Sequence, residues 1–492
     1  MEKTSTQTDK TAFIKRIGIV VLSLLFSLLI VSRFIYPFAA GTWESFNWMP
    51  AEHLFDGKNP YAFAFESPFG MSPYGIIFYF LIGIGVKIFG YQFWFGRTLS
   101  VVAFAVCLWA IVQITRKVSL SKNGASMAFL AGLAMFPAQI WIGIMRPDLI
   151  AVAFAFSALA FAFGLEEEKK TSVWRVVGII LFSGAAFFTK QTFVLGAGII
   201  FLRFLQVKKW REAIIYAGGL TVLVFGGMFL LNYSSDGGYF WQHFTHAQRL
   251  PYSFRYAAEV FIEILKQPAF FFALVYVAIF SFQKRGVLRG GNFTKIICSP
   301  LLLVFFYLSI SLLLSIFSAG RVGGNANYYI EVSFVLAIVC GLILSYFSRK
   351  ENLPNLAAAM IILLTLGGAF QIFRVLRGEY FRWESLNYYR EIYETAGKNI
   401  PKDGKCISVY PELVVWNGCK FNFDDFEEYT GTWSPELTEI FEREIRQSKY
   451  SAIIWTDDKF AERFPNYRLV PMTQKLPERY YKVYLYVPKE KP

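Results

Sequence analysis

Charged residues and histidines are scarce in this sequence. Asp, Glu, Lys and Arg together make up 17% of the 492 residues, and only three residues are histidine. Soluble chains carry about 25% charged residues, whereas here 55% of the residues are hydrophobic and 19% are aromatic. This composition excludes a soluble globular protein.

Cysteines are few as well. The five cysteines form no Cys-x-x-Cys pair and have no neighbouring histidine pattern, which excludes a zinc ribbon or a thioredoxin-like redox motif. His243 and His246 lie three residues apart, but two histidines without a third firm ligand do not make a metal site. We therefore expect neither a metal nor another cofactor.

The net charge of +14 is confined to the first three quarters of the chain. Residues 377–492 hold 18 basic and 19 acidic residues, which leaves 31 of the 49 basic and 16 of the 35 acidic residues before them. Lysines and arginines concentrate in the cytoplasmic loops of membrane proteins. The excess therefore indicates membrane anchoring, and we expect no nucleic-acid partner.

Long apolar runs recur up to Phe373 and are typical of membrane-spanning helices. The first is too long for the core of a signal peptide and follows a basic segment, so we expect a retained span with the N-terminus inside. The runs cover residues 17–40, 74–90, 97–115, 125–144, 148–164, 173–189, 192–206, 213–232, 268–283, 299–318, 328–347 and 355–373.

The basic residues predict which runs cross the membrane. If residues 74–90 cross, 13 of the 31 basic residues before the tail lie inside; if they do not cross, 20 lie inside. The positive-inside rule favours the second arrangement. We therefore predict eleven spans, with residues 74–90 forming a juxtamembrane or re-entrant helix and the C-terminal tail lying on the outer side.

The tail after residue 376 changes to a hydrophilic pattern with alternating helical and extended segments. We predict a transmembrane domain over residues 1–376, with outer loops at 41–96 and 233–267, and an extracytoplasmic α/β domain over residues 377–492. Cys406 and Cys419 share the oxidising side, and the sequence leaves open whether they pair. The segments are helix 379–398, strand 406–410, helix 435–447, strand 451–455, and a strand pair at 467–470 and 480–487.

Ionisable residues that are not loop anchors fall on the predicted outer side. Four of them, Arg146, Asp148, Lys190 and Glu331, lie at the membrane border, where a charge costs about 2.5–3.5 kcal/mol. Several loops converging on one side favour a functional site. Each residue alone also fits a snorkelling side chain or a structural ion pair.

The order and sidedness of several motifs resemble a known superfamily: the membrane-embedded glycosyltransferases that use polyprenyl-phosphate sugars, which include protein O-mannosyltransferases and lipid A aminoarabinose transferases. Met71-Ser72 stands where the aminoarabinose branch carries an acid-base pair, so the resemblance is to the superfamily rather than to that branch. The motifs are Glu44, Ala51-Glu52-His53-Leu54-Phe55-Asp56-Gly57-Lys58-Asn59-Pro60-Tyr61, Ser72-Pro73-Tyr74-Gly75, Ile88-Phe89-Gly90, Arg97-Thr98-Leu99-Ser100, Arg146-Pro147-Asp148, Thr189-Lys190-Gln191, His246-Ala247-Gln248-Arg249 and Asn327-Tyr328-Tyr329-Ile330-Glu331.

The resemblance implies the GT-C fold and inverting transfer of a sugar from a lipid phosphate to an acceptor hydroxyl of a glycan, lipid or protein. Glu44 matches the acidic position of the catalytic base, with Glu52 and Asp56 as alternative bases. Asp148 matches a second family acid, which orients the acceptor or a neighbouring cation.

The resemblance also implies cations for the departing phosphate and a pocket for the sugar. Lys190 and Arg249 match family basic positions, and Arg146 and Arg321 are further candidates. A membrane-interface aromatic belt explains the tyrosines equally well. The predicted pocket residues are Glu52, Asp56, Tyr61, Tyr74, His246, Asn327, Tyr328 and Glu331.

Two other hypotheses stay open. A carrier or flippase of a lipid-linked sugar would move its substrate without chemistry, although transporters usually contain internal repeats and none is visible here. A scaffold or receptor would act through its tail, so deletion of residues 378–492 would remove all function. The glycosyltransferase hypothesis instead expects the catalytic groups in the membrane part to survive that deletion.

Overall fold

The computed structural model describes residues 2–40, 44–62, 72–167, 170–246, 251–290, 299–321, 324–347, 354–401, 403–408, 410–421, 435–455, 459–471 and 484–489. The chain folds as two compact units. The first unit comprises Met1–Ser32, Arg97–Gly226 and Tyr252–Arg377, and the second unit comprises Arg33–Gly96, Gly227–Pro251 and Gly378–Pro492. The division into domains at residues 376 and 377 stays a prediction.

The described part of the chain is mostly helical, with a small sheet near its C-terminus. Short 3₁₀ segments cover Ser45–Asn47 and Ala326–Tyr329, and a π-helical segment covers Trp241–His246. The α-helices are α1 (Glu2–Ile35), α2 (Trp48–Phe55), α3 (Ile76–Phe89), α4 (Phe93–Ser119), α5 (Lys122–Ala134), α6 (Phe136–Trp141), α7 (Pro147–Phe163), α8 (Val173–Thr189), α9 (Leu195–Gln206), α10 (Trp210–Tyr233), α11 (Gly238–Phe240), α12 (Phe254–Leu265), α13 (Pro268–Gly290), α14 (Pro300–Ala319), α15 (Ile330–Phe347), α16 (Pro354–Glu384), α17 (Leu386–Asn399), α18 (Glu412–Val415), α19 (Pro435–Arg446) and α20 (Phe460–Arg463). The strands are β1 (Lys405–Ser408), β2 (Lys420–Phe421), β3 (Ala452–Trp455), β4 (Tyr467–Val470) and β5 (Tyr484–Pro488).

The protein is a multi-span membrane protein. Among the described residues, six helical segments are long and apolar enough to cross a membrane, or seven if α12 and α13, bent by 90°, count as one span. The predicted number of eleven is not confirmed. The six segments are Thr11–Ile35, Phe93–Ser119, Trp210–Tyr233, Pro300–Ala319, Ala326–Phe347 and Asn355–Glu384.

Helix length explains the difference between eleven predicted spans and six long helices. The predicted span at 125–144 is broken at Met135 into α5 and α6, and α9 has only 12 residues. Helices α7 and α8 have 17 residues each; at a rise of 1.5 Å per residue they cover about 26 Å, slightly less than a hydrocarbon core of about 30 Å. Helix α3, within the run at 74–90, has 14 residues, and whether that run crosses the membrane stays a prediction.

Helix α15 forms the centre of the first unit, and nearly all of its residues are buried. It crosses α5 at a pair of glycines: a Cβ on Gly341 would lie 2.5 Å from the Gly124 carbonyl oxygen. Small residues at such crossings let two helix backbones approach closely in a membrane. This close approach fixes the position of α15, whose first turn carries Glu331.

The sheet of the second unit has the strand order β2-β1-β3-β5-β4. Strand β1 is parallel to β2 and β3, with Ile407 opposite Ile453, whereas β5 is antiparallel to β3 and β4. Alternating side chains point to opposite faces, so Cys406 and Ile454 join one apolar cluster and Ile407 joins the other. The first of these clusters also contains Tyr36, Phe38, Phe46 and Met49 from the start of the second unit.

The tail follows the predicted segments closely, with three differences. The predicted helix 379–398 is interrupted at Ser385, because its first part continues α16. The strand predicted at 406–410 ends at Ser408, and the two short helices α18 and α20 and the two-residue β2 were not predicted. Residues 480–483 of the last predicted strand lie outside the described residues. Cys406 and Cys419, whose pairing the sequence leaves open, form a disulfide.

Candidate functional site

Asp148 is the centre of a buried polar cluster in the first unit. It lies in the first turn of α7, directly after Pro147, and its side chain is fully buried. Asp148 Oδ1 accepts hydrogen bonds from Lys190 Nζ at 2.5 Å and from Asn327 Nδ2 at 3.0 Å. Arg146 Nε lies 3.7 Å from Asp148 Oδ2. Four residues predicted from three separate segments are therefore brought together.

Helix ends place these side chains. Carboxylates are favourable at helix N-termini and cations at C-termini, and here Asp148 lies in the first turn of α7 whereas Lys190 caps the C-terminus of α8. Asn327 lies in a 3₁₀ turn that the Asn325 side chain caps by accepting a hydrogen bond from the Asn327 amide at 3.1 Å. The cluster is thus held by backbone ends rather than by mobile loops.

Tyr328 and Glu331 continue the cluster along the same segment. Lys190 Nζ lies 5.5 Å from the centre of the Tyr328 ring, a cation–π distance that stabilises a poorly hydrated ammonium. Tyr307, which the sequence analysis did not single out, donates a hydrogen bond to Glu331 Oε1 at 2.5 Å. Both Tyr328 and Glu331 line a cavity of about 50 Å³ together with Thr192, Phe193, Val194, Leu195, Ser311, Leu314, Ser315 and Ser318.

The formal charge of the central cluster is positive. Lys190 and Arg146 contribute two positive charges, and Asp148 contributes one negative charge. The Arg146 side chain is 11% exposed and the Lys190 side chain is 9% exposed. Two cations around one carboxylate leave capacity for a further anion, and phosphate oxygens are strong partners for such groups. Arg321, also predicted for this role, is exposed and interacts electrostatically with Tyr328.

Glu44 belongs to the second unit and is fully buried. Its Oε2 accepts a hydrogen bond from the Ala40 amide at 2.6 Å. The neighbouring Ser45 hydroxyl donates to Oε2 of Glu412 at 2.6 Å. Sequence reasoning did not single out Glu412, because it is one of 19 acidic residues in the tail and no motif surrounds it.

The predicted pocket residues of the first outer loop have different environments. The fully buried Tyr61 donates its hydroxyl proton to the Tyr74 carbonyl oxygen at 2.9 Å. Asp56 instead lies at the surface, 3.4 Å from Lys87 Nζ, and Glu52 interacts with Tyr91. These contacts hold the loop together, and a substrate role for the four residues stays a prediction.

Two predicted residues cannot be placed: Arg249 lies outside the described residues, as does the side chain of His246. His243 is buried, its ring stacks on Tyr239 with centres 4.4 Å apart, and burial lowers its pKa to about 4. Within the described ranges no three His, Cys, Asp or Glu side chains are grouped closely enough to hold a metal ion.

Comparisons with known proteins identify the fold. Residues 73–229 match the family described as dolichyl-phosphate-mannose-protein mannosyltransferase. The structure is similar to that of ArnT from Cupriavidus metallidurans bound to undecaprenyl phosphate, with a TM-score of 0.65, 11% identity, and coverage of 95% of this chain and 97% of that chain. This is the GT-C fold. The predicted resemblance to the polyprenyl-phosphate-sugar glycosyltransferases is thereby confirmed.

A second protein with the GT-C fold is archaeal. The oligosaccharyltransferase AglB from Archaeoglobus fulgidus, in complex with an inhibitory peptide and a dolichol-phosphate, has a TM-score of 0.54 and 11% identity, over 89% of this chain and 69% of that chain. A search of curated protein sequences finds no match. The fold is therefore shared with proteins whose sequences are only 11% identical to this one.

Proposed function

We propose that this protein is an inverting glycosyltransferase that moves a sugar from a polyprenyl-phosphate carrier to an acceptor hydroxyl on the outer face of the cytoplasmic membrane. The N-terminus is cytoplasmic and residues 377–492 are extracytoplasmic in this proposal. The Cys406–Cys419 disulfide supports that orientation, because disulfides persist on the oxidising side of the membrane.

The observation that carries the proposal is the buried cluster of Arg146, Asp148, Lys190 and Asn327. A net positive charge buried among apolar helices is costly unless it has a use. In this fold the use that fits is binding of the carrier phosphate, since the ArnT structure has undecaprenyl phosphate bound and the AglB structure is a complex with a dolichol-phosphate. Arg249 and Arg321 are proposed to add further cations.

The proposed reaction is a displacement at the anomeric carbon of the donor sugar. The acceptor oxygen forms a bond to the anomeric carbon of the sugar while the bond between that carbon and the phosphate oxygen breaks, which inverts the anomeric configuration. The phosphate leaves with the bonding electron pair and gains one negative charge, which Lys190 and Arg146 stabilise. Glu44 takes the proton of the acceptor hydroxyl as general base.

The remaining residues of the cluster position these groups. Asp148 holds the Lys190 ammonium by a hydrogen bond, so that its direction is fixed before the donor binds. Asn327, Tyr328 and Glu331 are proposed to contact the sugar, because Tyr328 and Glu331 line a cavity whose other side chains include four hydroxyls. Hydroxyl and carboxylate groups are suitable partners for sugar hydroxyls.

The test is a transfer assay with the full-length protein in nanodiscs. Radiolabelled polyprenyl-phosphate sugars are supplied with membrane extract, and wild type is compared with Glu44→Gln. We expect label to move to an extract component with wild type, and the rate to fall at least about 100-fold in the variant, since loss of a general base costs about 10²–10⁴. Glu259→Gln, which changes an exposed carboxylate of α12, is the matched control.

Two other outcomes of the transfer assay would change the proposal. If Glu52→Gln or Asp56→Asn abolishes transfer while Glu44→Gln does not, the base lies at one of those positions. No transfer from any donor, with translocation of the lipid-linked sugar still measurable, would replace the proposal by the alternative of a non-enzymatic carrier or flippase.

A further inference from the structure

The Glu412 carboxyl group contacts the chain both before and after Glu44. Its Oε2 accepts a hydrogen bond from the Ser45 hydroxyl at 2.6 Å, and its Oε1 accepts one from the Ala39 amide at 3.3 Å. The adjacent Ala40 amide donates to Glu44 at 2.6 Å. Successive backbone amides thus bind two different carboxyl groups, and all of these residues belong to the second unit.

Both carboxyl groups are removed from water. Glu44 is 0% exposed and Glu412 is 2% exposed, and Glu44 interacts electrostatically with Glu412. A buried carboxylate is costly unless it is paired, and two neighbouring carboxylates disfavour double ionisation. One of the two groups is therefore expected to hold a proton.

The surrounding charges indicate which group that is. Arg33 Nε contacts Glu379 at 2.9 Å, Arg382 Nη1 contacts Glu379 at 2.7 Å, and Arg33 also interacts electrostatically with Glu44. Two guanidinium groups balance the two carboxylates of Glu379 and Glu44. An ionised Glu412 would add a third negative charge without a matching cation among the described contacts.

The direction of the pKa shift of Glu412 agrees with this count of charges. The pKa of Glu412 is raised to about 7, chiefly by burial and to a smaller extent by the charge of Glu44, although the hydrogen bonds from Ser45 and Ala39 oppose the rise. Tyr36 and Tyr389 also interact with Glu412, but burial raises the pKa of both phenols far above neutrality. Neither phenol therefore changes its charge close to pH 7.

We propose that Glu412 is a positioning residue for Glu44: it fixes the backbone on both sides of the base and carries the proton of the carboxyl pair, so that Glu44 is the group that accepts the proton of the acceptor. This inference rests on the proposed function of Glu44. It also gives the C-terminal tail a direct part in the site, since Glu412 lies in α18.

The experiment compares wild type with Glu412→Gln and Glu412→Ala in nanodiscs. Glutamine keeps the size and one acceptor oxygen but cannot ionise, whereas alanine removes both hydrogen bonds. We expect Glu412→Ala to lower kcat more than 10-fold with less than a twofold change in the donor KM. We expect Glu412→Gln to keep most of kcat but to lose the change in kcat that wild type shows close to pH 7.

Glu444→Gln is the matched control, because Glu444 is also a buried carboxylate of the tail but contacts Lys449 and Tyr450 instead. Its pH profile should equal that of wild type. The inference is overturned if Glu412→Ala keeps kcat within twofold of wild type, or if Glu412→Gln retains the wild-type pH profile. The profile of Glu412→Gln decides the matter if the alanine variant does not fold.

The pH dependence of folding stability, which needs no catalysis, tests this inference separately from the proposed function. The unfolded chain loses the Glu412 proton near its ordinary pKa, whereas the folded chain keeps it up to about pH 7, so folding stability falls as pH rises through that window. Between pH 5 and 7 the Tm of wild type should therefore decline relative to that of Glu412→Gln. If the Tm values of wild type and Glu412→Gln change with pH in the same way, the inference is contradicted even if transfer is observed. If the two Tm profiles diverge, the proton on Glu412 is upheld even if the protein transfers sugar from no donor.

Discussion

At the scale of single residues, the Asp148 carboxylate and the Lys190 ammonium depend on each other. Each is buried, and they share a hydrogen bond of 2.5 Å. Removing one member of a buried ion pair leaves the other charge unpaired, which costs about 3–5 kcal/mol. We expect Asp148→Asn and Lys190→Met each to lower the free energy of unfolding by about 3 kcal/mol, with Lys190→Met the milder because Arg146 stays close to Asp148.

The double variant distinguishes stability from activity. Asp148→Asn/Lys190→Met should regain part of the lost stability, since the Lys190 and Asp148 charges are removed together and only the contact of Arg146 with Asp148 is lost, but it should stay inactive because the phosphate cation is missing. Denaturation in detergent and the transfer assay measure the two effects. The exposed pair of Lys208 and Glu167 is the control, with an expected effect of about 0–1 kcal/mol. Recovery of transfer in the double variant would show that Lys190 has only a structural role.

Some residues of the site can be recognised from the sequence, and others cannot. Asp148 and Lys190 stand out because charged residues are rare at the ends of apolar runs. Glu331 stands out for the same reason, but its partner Tyr307 lies inside an apolar run and resembles any membrane tyrosine. Glu412 carries no such signal, since its role depends on the fold of the tail.

At the scale of elements, the disulfide closes the loop that carries α18. Cys406 lies in β1 and Cys419 immediately precedes β2, with Glu412 between them. Closing a loop of about 15 residues is worth about 3 kcal/mol in the chain-entropy model. The disulfide therefore stabilises the short helix that places Glu412 against Ser45.

We predict that Cys406→Ala/Cys419→Ala lowers transfer at least threefold at 37 °C and lowers the Tm of the tail, because α18 becomes less well fixed. Treatment of wild type with dithiothreitol should have the same effect. Cys107→Ala, which changes a buried cysteine of α4 that is not in a disulfide, is the control. Dithiothreitol should lower its transfer activity as much as it lowers that of wild type. Full activity of the double cysteine variant would mean that the packing of α18 alone suffices.

The sequence predicts some helices and strands better than others, and the differences have physical reasons. Strands β3, β4 and β5 lie where alternation and turn residues predict them. The broken run at 125–144 was predicted as one span because hydropathy counts apolar residues, although Pro137 marks the start of α6 and proline interrupts a continuing helix. Helix α18 has four residues and is too short to produce a periodic pattern.

At the scale of the whole molecule, the tail packs with the segment that carries Glu44. Tyr36, Phe38 and Met49 share one apolar cluster with Ile392 and Leu413 of the tail. The sequence predicted the tail as a separate domain whose removal spares the catalytic groups. That expectation stays a prediction, because the linear pattern shows where hydropathy changes but not which distant segments share a core.

Deletion of residues 378–492 should therefore abolish transfer while leaving the chain inserted in the membrane. The deletion removes Glu412 and exposes the apolar side chains of Tyr36, Phe38, Phe46 and Met49, so the segment that holds Glu44 loses its packing although Glu44 itself is retained. Transfer activity, together with monodispersity in detergent, measures the effect, and a chain lacking only residues 490–492 is the control. Since a scaffold hypothesis also predicts loss of function on deletion, the outcome must be compared with Glu412→Ala in the full-length chain. Parallel loss of kcat in both proteins supports a direct role of the tail, whereas a truncated chain that still transfers sugar would show that Glu44 keeps its position without the tail.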